Sequence, residues 1–133
     1  MIGILVITHR NFGEALFDAV SHIAGTQDYV SVTAVFPGDG LETIRAKITE
    51  QLNIWNDTAG VVILVDMFGG TPFNASVPYL EDPKIEIISG VNMNMLLKTI
   101  SLRQQYDNTK DLAESVVDSA KKGILRVREI KKD

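Results

Sequence analysis

The sequence predicts an α/β domain: a mostly parallel four-stranded sheet in the order 2-1-3-4, with helices on both faces. Three observations predict it. Apolar, strand-like runs alternate with stretches of helical periodicity, the pattern of strands joined through crossover helices. Two of those runs, residues 2–7 and 60–66, are apolar almost throughout, as strands covered on both faces require. The run at 29–36 is β-branched and partly alternating, which suits an outer position. The first and third strands therefore occupy the middle. A chain of 133 residues, 45% of them hydrophobic, fits one domain spanning 1–133 with a real core.

The elements follow in order. After the first strand comes a helix with Leu16, Ala19, Val20 and Ile23 on one face. Asn11 and Glu14 form its expected capping box, and Gly25 stops it. Pro37-Gly38 breaks the second strand. Asp39 is expected to cap a helix whose stripe is Leu41, Ile44, Ile48, Leu52 and Trp55. The third strand ends in Asp66. After the loop Met67-Phe68-Gly69-Gly70, Thr71-Pro72 reads as a cap followed by proline in the first turn, opening a short helix that runs to about Leu80. Residues 85–89 form the fourth strand. Asn92 caps the next helix, with Met93, Leu96, Leu97 and Ile100 facing in. Thr109 caps the last, with Leu112, Val116 and Ala120 facing in, and Gly123 ends it. Residues 124–130 read as one more short strand with Arg126 and Arg128 on one face. It is too charged for the sheet centre, so it belongs at an edge or across a subunit interface. Lys131 and Lys132 read as a solvated end.

Composition removes several classes of function. Net charge is −4, from 13 basic and 17 acidic residues, which argues against nucleic acid. There is no cysteine, and two widely separated histidines do not make a metal-ligand set, so no metal and no cofactor are expected. The apolar N-terminus is too short to span a membrane and lacks a basic flank with a cleavage site, so the expected location is the cytoplasm, without membrane insertion. A G-x-x-x-x-G-K-[ST] loop and a G-x-S-x-G elbow are absent, as are the paired acids that a receiver domain needs after its first strand.

In a sheet of order 2-1-3-4, ligands bind at the carboxyl ends of the strands, where strands one and three diverge. His9 and Asp66 fall there. A neutral imidazole is a nucleophile near neutral pH, and a carboxylate holding one ring N–H leaves the other nitrogen free to attack. Gly69 and Gly70 allow close approach to a ligand. Thr71 offers a hydroxyl, and the helix start beside it offers free N–H groups. A nucleophilic imidazole, an orienting acid and an anion cradle together describe a phosphohistidine site. With no nucleotide-binding loop, the phosphoryl group would come from another phosphorylated protein. His22, beside Asp18 on the polar side of the first helix, reads as a solvated surface histidine. Phe12, Phe68 and Phe73 are candidates for a docking surface, with Phe73 better placed in the core. Asn92 and Met93 could line the site, although capping explains Asn92 as well.

Three stretches resemble a known family. V-I-T-H at the end of strand one, L-V-D-M-F-G-G-T-P-F-N-A-S after strand three and S-G-V-N-M-N-M-L after strand four are similar to the IIA component of the mannose family of the bacterial sugar phosphotransferase system. The resemblance covers residues 1 to about 123. It implies that His9 is phosphorylated by phospho-HPr, that Asp66 is its hydrogen-bond partner, and that Thr71 helps hold the phosphate. It further implies an acceptor histidine on a IIB component serving a membrane IIC/IID pair, and a homodimer in which the last strand is exchanged. Many relatives have glycine after the histidine, where this chain has Arg10, whose guanidinium could hold phosphate, alter docking or point to solvent. No linker follows, so IIB is expected to be a separate protein. Two other roles fit the same chemistry: a regulatory phosphoprotein without transport, and a phosphoryl donor to dihydroxyacetone kinase.

Overall fold

The computed structural model describes residues 1–130, so Lys131 and Lys132 lie outside the described residues. Four parallel strands form one sheet in the order β2-β1-β3-β4: β1 Gly3–His9, β2 Val30–Val35, β3 Val61–Val65 and β4 Ile85–Ser89. The helices are α1 Phe12–Ala24, α2 Leu41–Ile54, α3 Thr71–Ser76, α4 Met93–Leu102, α5 Thr109–Lys122 and α6 Val127–Ile130. A 3₁₀ turn, Val77–Glu81, prolongs α3, and a second, Arg103–Gln105, follows α4. No described helix is long and apolar enough to cross a membrane.

Side-chain alternation in the two central strands builds two cores. Ile4, Val6, Val62 and Leu64 face one way and pack with Val20 of α1, Leu96 of α4 and Leu112 and Val116 of α5. Leu5, Ile7, Ile63 and Val65 face the other way and pack with Ile44 and Ile48 of α2, Trp55 and Ala75 of α3. Burial on both faces is why β1 and β3 carry no polar residue before their last positions. Gly13 in α1 is a packing requirement. A β-carbon there would lie 2.8 Å from Thr8 Oγ1 and 3.0 Å from Val32 Cγ1.

The helix ends depart from expectation in instructive ways. Asn11 precedes α1 but its side chain caps nothing, so the capping box does not form. The buried hydroxyl of Thr8 accepts the Gly13 N–H at 2.7 Å instead. Asp39 turns back to accept the Phe36 N–H at 2.8 Å, and Gly40 is the residue before α2. Thr71 and Thr109 are the first residues of their helices rather than caps. Gly70 precedes the one, and Asn108, accepting the Asp111 N–H at 2.9 Å, caps the other. Asn92 caps α4 as expected, accepting the Met95 N–H at 2.8 Å. In α4 the burial is shifted: Met95 is buried and Met93 exposed. Ile23 and Leu41, expected to face in, are exposed.

The largest departure is at the C-terminus. Residues 124–130 form no strand; they end in the single turn α6, and Ile124, Leu125, Val127 and Ile130 are all exposed. The segment pairs with neither edge strand of its own sheet, and Arg126 bonds Glu129 at 3.4 Å. Arg103 is buried at the opposite end of the sheet from His9. Its guanidinium donates to the carbonyls of Ile2 at 3.1 Å, Tyr29 at 3.2 Å and Asp28 at 2.7 Å, and to Gln27 Oε1 at 3.2 Å.

Candidate functional site

β1 outruns β3 by two residues. Ile7 pairs with Val65, where β3 ends, while Thr8 and His9 still pair with Ala34 and Val35 of β2. Odd-numbered residues of β1 send their N–H groups toward β3, as Gly3 does to Gly60, and even-numbered ones toward β2, as Arg10 does to Val35. The His9 N–H therefore points where β3 has already left the sheet. Asp66 fills the vacancy: its Oδ2 accepts the His9 backbone N–H at 3.0 Å. The carboxylate takes the place of the missing backbone carbonyl.

The same oxygen lies 2.8 Å from His9 Nδ1. A carboxylate oxygen accepts, so Nδ1 carries a hydrogen, and in the neutral ring the lone pair is on Nε2. Asp66 Oδ1 accepts the Met67 N–H at 3.1 Å, which fixes the acid from its other side. The His9 side chain is 45% exposed and that of Asp66 14%. The orienting acid is thus sheltered while the ring it orients reaches solvent.

The β3–α3 loop lies against the open edge of the ring. A β-carbon on Gly70 would sit 2.8 Å from His9 Cε1 and 3.3 Å from Nε2, so this glycine leaves room in front of the free nitrogen. Gly69 has φ +88°, a left-handed conformation that favours glycine. Asn74 bonds back onto the loop, with Nδ2 donating to Gly69 O at 3.1 Å and N to Gly70 O at 2.8 Å. Thr71 is half-buried at the start of α3, which has only six residues. What this short helix offers an anion is the N–H groups of its first turn, not a long dipole.

The structure thus brings His9, Asp66 and Gly70 into contact and places Gly69 and Thr71 in the same loop. Arg10 follows His9 directly and is exposed. Its φ of +48° is a left-handed conformation. Phe73 is partly buried against the α2 core, and Phe68 stacks on it at 4.4 Å while remaining 74% exposed. Phe12, Met67 and Met93 are also exposed. His22 is a surface residue, its Nδ1 3.0 Å from the Asp18 carbonyl one turn back. Sequence reasoning missed Thr8 and the backbone half of the Asp66 bridge. A hydroxyl five residues ahead of a glycine in the first helical turn was the available signal for Thr8.

Comparison with known proteins places the fold in a family. The family model EIIA-man, described as the "PTS system fructose IIA component", matches residues 3–117. The fructose-specific EIIA component of Bacillus subtilis is 32% identical over 117 residues, covering 87% of this chain and 80% of that protein. The mannose-specific EIIAB component of Escherichia coli K12 is 32% identical over 128 residues, which are 96% of this chain but only 40% of that longer protein. The crystal structure of the phosphotransferase component EIIA from Streptococcus agalactiae matches with a TM-score of 0.89 at 30% identity, over 97% of this chain and 99% of that one. The sheet order, the site at its carboxyl end and these matches lead to one conclusion: the chain belongs to the EIIA-man family of sugar phosphotransferase-system components.

Proposed function

We propose that this protein is a phosphoryl carrier that accepts a phosphoryl group on Nε2 of His9 from phospho-HPr and passes it to a IIB component. IIB would in turn serve a membrane IIC/IID complex in phosphoenolpyruvate-dependent sugar uptake, with this chain acting in the cytoplasm. The observation that carries the reading is the 2.8 Å bond from His9 Nδ1 to Asp66, which in the neutral ring puts the lone pair on Nε2, beside the space that Gly70 keeps open.

The transfer balances without a proton leaving the site. The Nε2 lone pair forms a bond to phosphorus as the phosphorus–nitrogen bond to the donor's phosphorylated imidazolium breaks, and the bonding pair returns to the donor ring. The positive charge moves with the phosphoryl group onto the His9 ring. Asp66, already on Nδ1–H, stabilises that charge. Asp66 is a positioning and charge-stabilising group. Gly69 and Gly70 give the phosphoryl oxygens access, and Thr71 supplies a hydroxyl at the rim. Handover to IIB is the same step in reverse, so no cofactor or metal takes part.

A homodimer completes the reading. β4 is an edge strand, and beside it runs a groove of about 410 Å³ lined in part by Ile87, Ile88, Met95, Val117 and Ile124. The exposed apolar segment 124–130 of a second copy suits such an edge, where it would pair as a strand.

The test is phosphorylation by phosphoenolpyruvate, enzyme I and HPr, read by intact mass and acid lability. Wild type should gain one acid-labile phosphate and His9→Ala none, with the fold retained. Full labelling of His9→Ala would refute the assignment.

A further inference from the structure

The β1–α1 turn carries a cost with no structural return of its own. Arg10 sits at φ +48°, a conformation that disfavours every residue with a β-carbon. It is held there from both sides. Its own N–H donates to Val35 O at 2.8 Å, and three residues later the Gly13 N–H is fixed on the buried Thr8 hydroxyl at 2.7 Å. Glycine would meet both constraints without strain. The arginine side chain is exposed and makes no hydrogen bond or ion pair among the described residues.

The charge around the site gives that side chain a task. Four loops leave the carboxyl ends of the strands, at residues 10–11, 36–40, 66–70 and 90–92. Arg10 is the sole basic residue in them. The acids in these loops and in the first turn of α1 are Asp66, bonded to the His9 ring, Asp39 in the second loop and Glu14. A phosphoryl group on His9 adds roughly two further negative charges. A site that already holds a carboxylate against the ring needs a cation to take the phosphoryl oxygens, and a guanidinium presents paired donors that match them.

We propose that Arg10 is a phosphate-binding catalytic residue: its guanidinium holds the phosphoryl group entering or leaving His9, and the strained turn is kept to deliver it. This rests on His9 being the phosphorylated residue.

The experiment compares wild type, Arg10→Gly and Arg10→Lys with two donors. One is phospho-HPr. The other is phosphoramidate, a small molecule that presents no protein surface. Arg10→Gly should melt no lower than wild type, because the turn is relieved of strain. It should take phosphate from both donors at least about tenfold more slowly, the value of one charge-assisted contact. Arg10→Lys should fall between, keeping the charge but losing the paired donors. Labelling of Arg10→Gly at the wild-type rate would overturn the proposal. So would a defect confined to phospho-HPr, which would make Arg10 a docking residue. If wild type takes phosphate from neither donor, the carrier reading itself fails, whereas a labelled wild type with an equally fast Arg10→Gly sinks this inference alone.

Discussion

Gly70→Ala separates the chemistry of this site from its fold. Gly70 has φ −80° and ψ 176°, extended backbone that alanine adopts freely. The new methyl group would stand 2.8 Å from His9 Cε1, 3.3 Å from Nε2 and 3.4 Å from Met67 Cγ. Carbon atoms in contact prefer about 3.5–4.0 Å, so the imidazole must give way by most of an ångström. It can do so cheaply, because its side chain is 45% exposed. The ring is tied at one point, the 2.8 Å bond from Nδ1 to Asp66, and swinging it off Gly70 stretches that bond. A hydrogen bond to a charged partner contributes about 1.5–3 kcal/mol. Losing most of that at the moment the ring becomes cationic slows transfer by roughly 10- to 100-fold. The methyl group also takes space that the phosphoryl group needs. The assay is rapid-quench single-turnover transfer from phospho-HPr, with thermal unfolding alongside. Transfer should fall by that factor while the melting temperature moves by no more than a few degrees. Transfer within about twofold of wild type in a folded Gly70→Ala protein would refute the argument that this glycine spaces the ring.

Asp66→Asn keeps the size of the side chain but only one acceptor oxygen, which can stay on the His9 N–H while the amide nitrogen turns to the exposed Met67 N–H, and it removes the charge that stabilises the phosphorylated ring; transfer should drop about 100-fold or more in a folded protein, and a rate within about threefold of wild type would remove Asp66 from the mechanism. Thr8→Val strands the buried Gly13 N–H and should lower stability by about 1–3 kcal/mol in urea unfolding; an unchanged midpoint would show that α1 starts without this bond. Sedimentation velocity at micromolar concentration should give a dimer for the full chain and a folded monomer for a chain ending at Gly123, and a monomeric full chain would rule out the exchanged tail.

The sheet order was legible because the two central strands advertise their burial: residues 2–7 and 60–66 are apolar on both alternating sides, and the order 2-1-3-4 is what the structure has. That order carried His9 and Asp66 to the same place, and they meet at 2.8 Å. The helix caps were less legible, because the choice among neighbouring polar side chains is made by tertiary packing. Asn11 had the right chemistry for α1, but the Thr8 hydroxyl, buried under the same helix, was already within 2.7 Å of the N–H to be capped. Asp39 lost its expected role in the same way, taken up by the turn at Phe36. The tail at 124–130 reads as a strand from its alternation, yet a strand needs a paired neighbour, and in the single chain the tail pairs with neither edge strand. Arg103 was invisible for the opposite reason: a buried arginine defies composition rules and is tolerated because carbonyls from distant segments converge on it.

That convergence has a kinetic side. Arg103 and Ile2 are 101 residues apart in the chain, and the bonds to Asp28 and Tyr29 span 75 and 74. β1 lies at the centre of the sheet but is made before the strands on either side of it, and it must wait for β3 before its second edge is paired. The guanidinium that closes the foot of β1 and β2 arrives later still. A chain that stops short of β3 therefore carries a half-paired central strand, and one that stops short of Arg103 leaves the Ile2 and Asp28 carbonyls without the guanidinium. Contacts of such long sequence separation slow folding and set its order. The turn after α4, made after all four strands, is what locks the first strand in place.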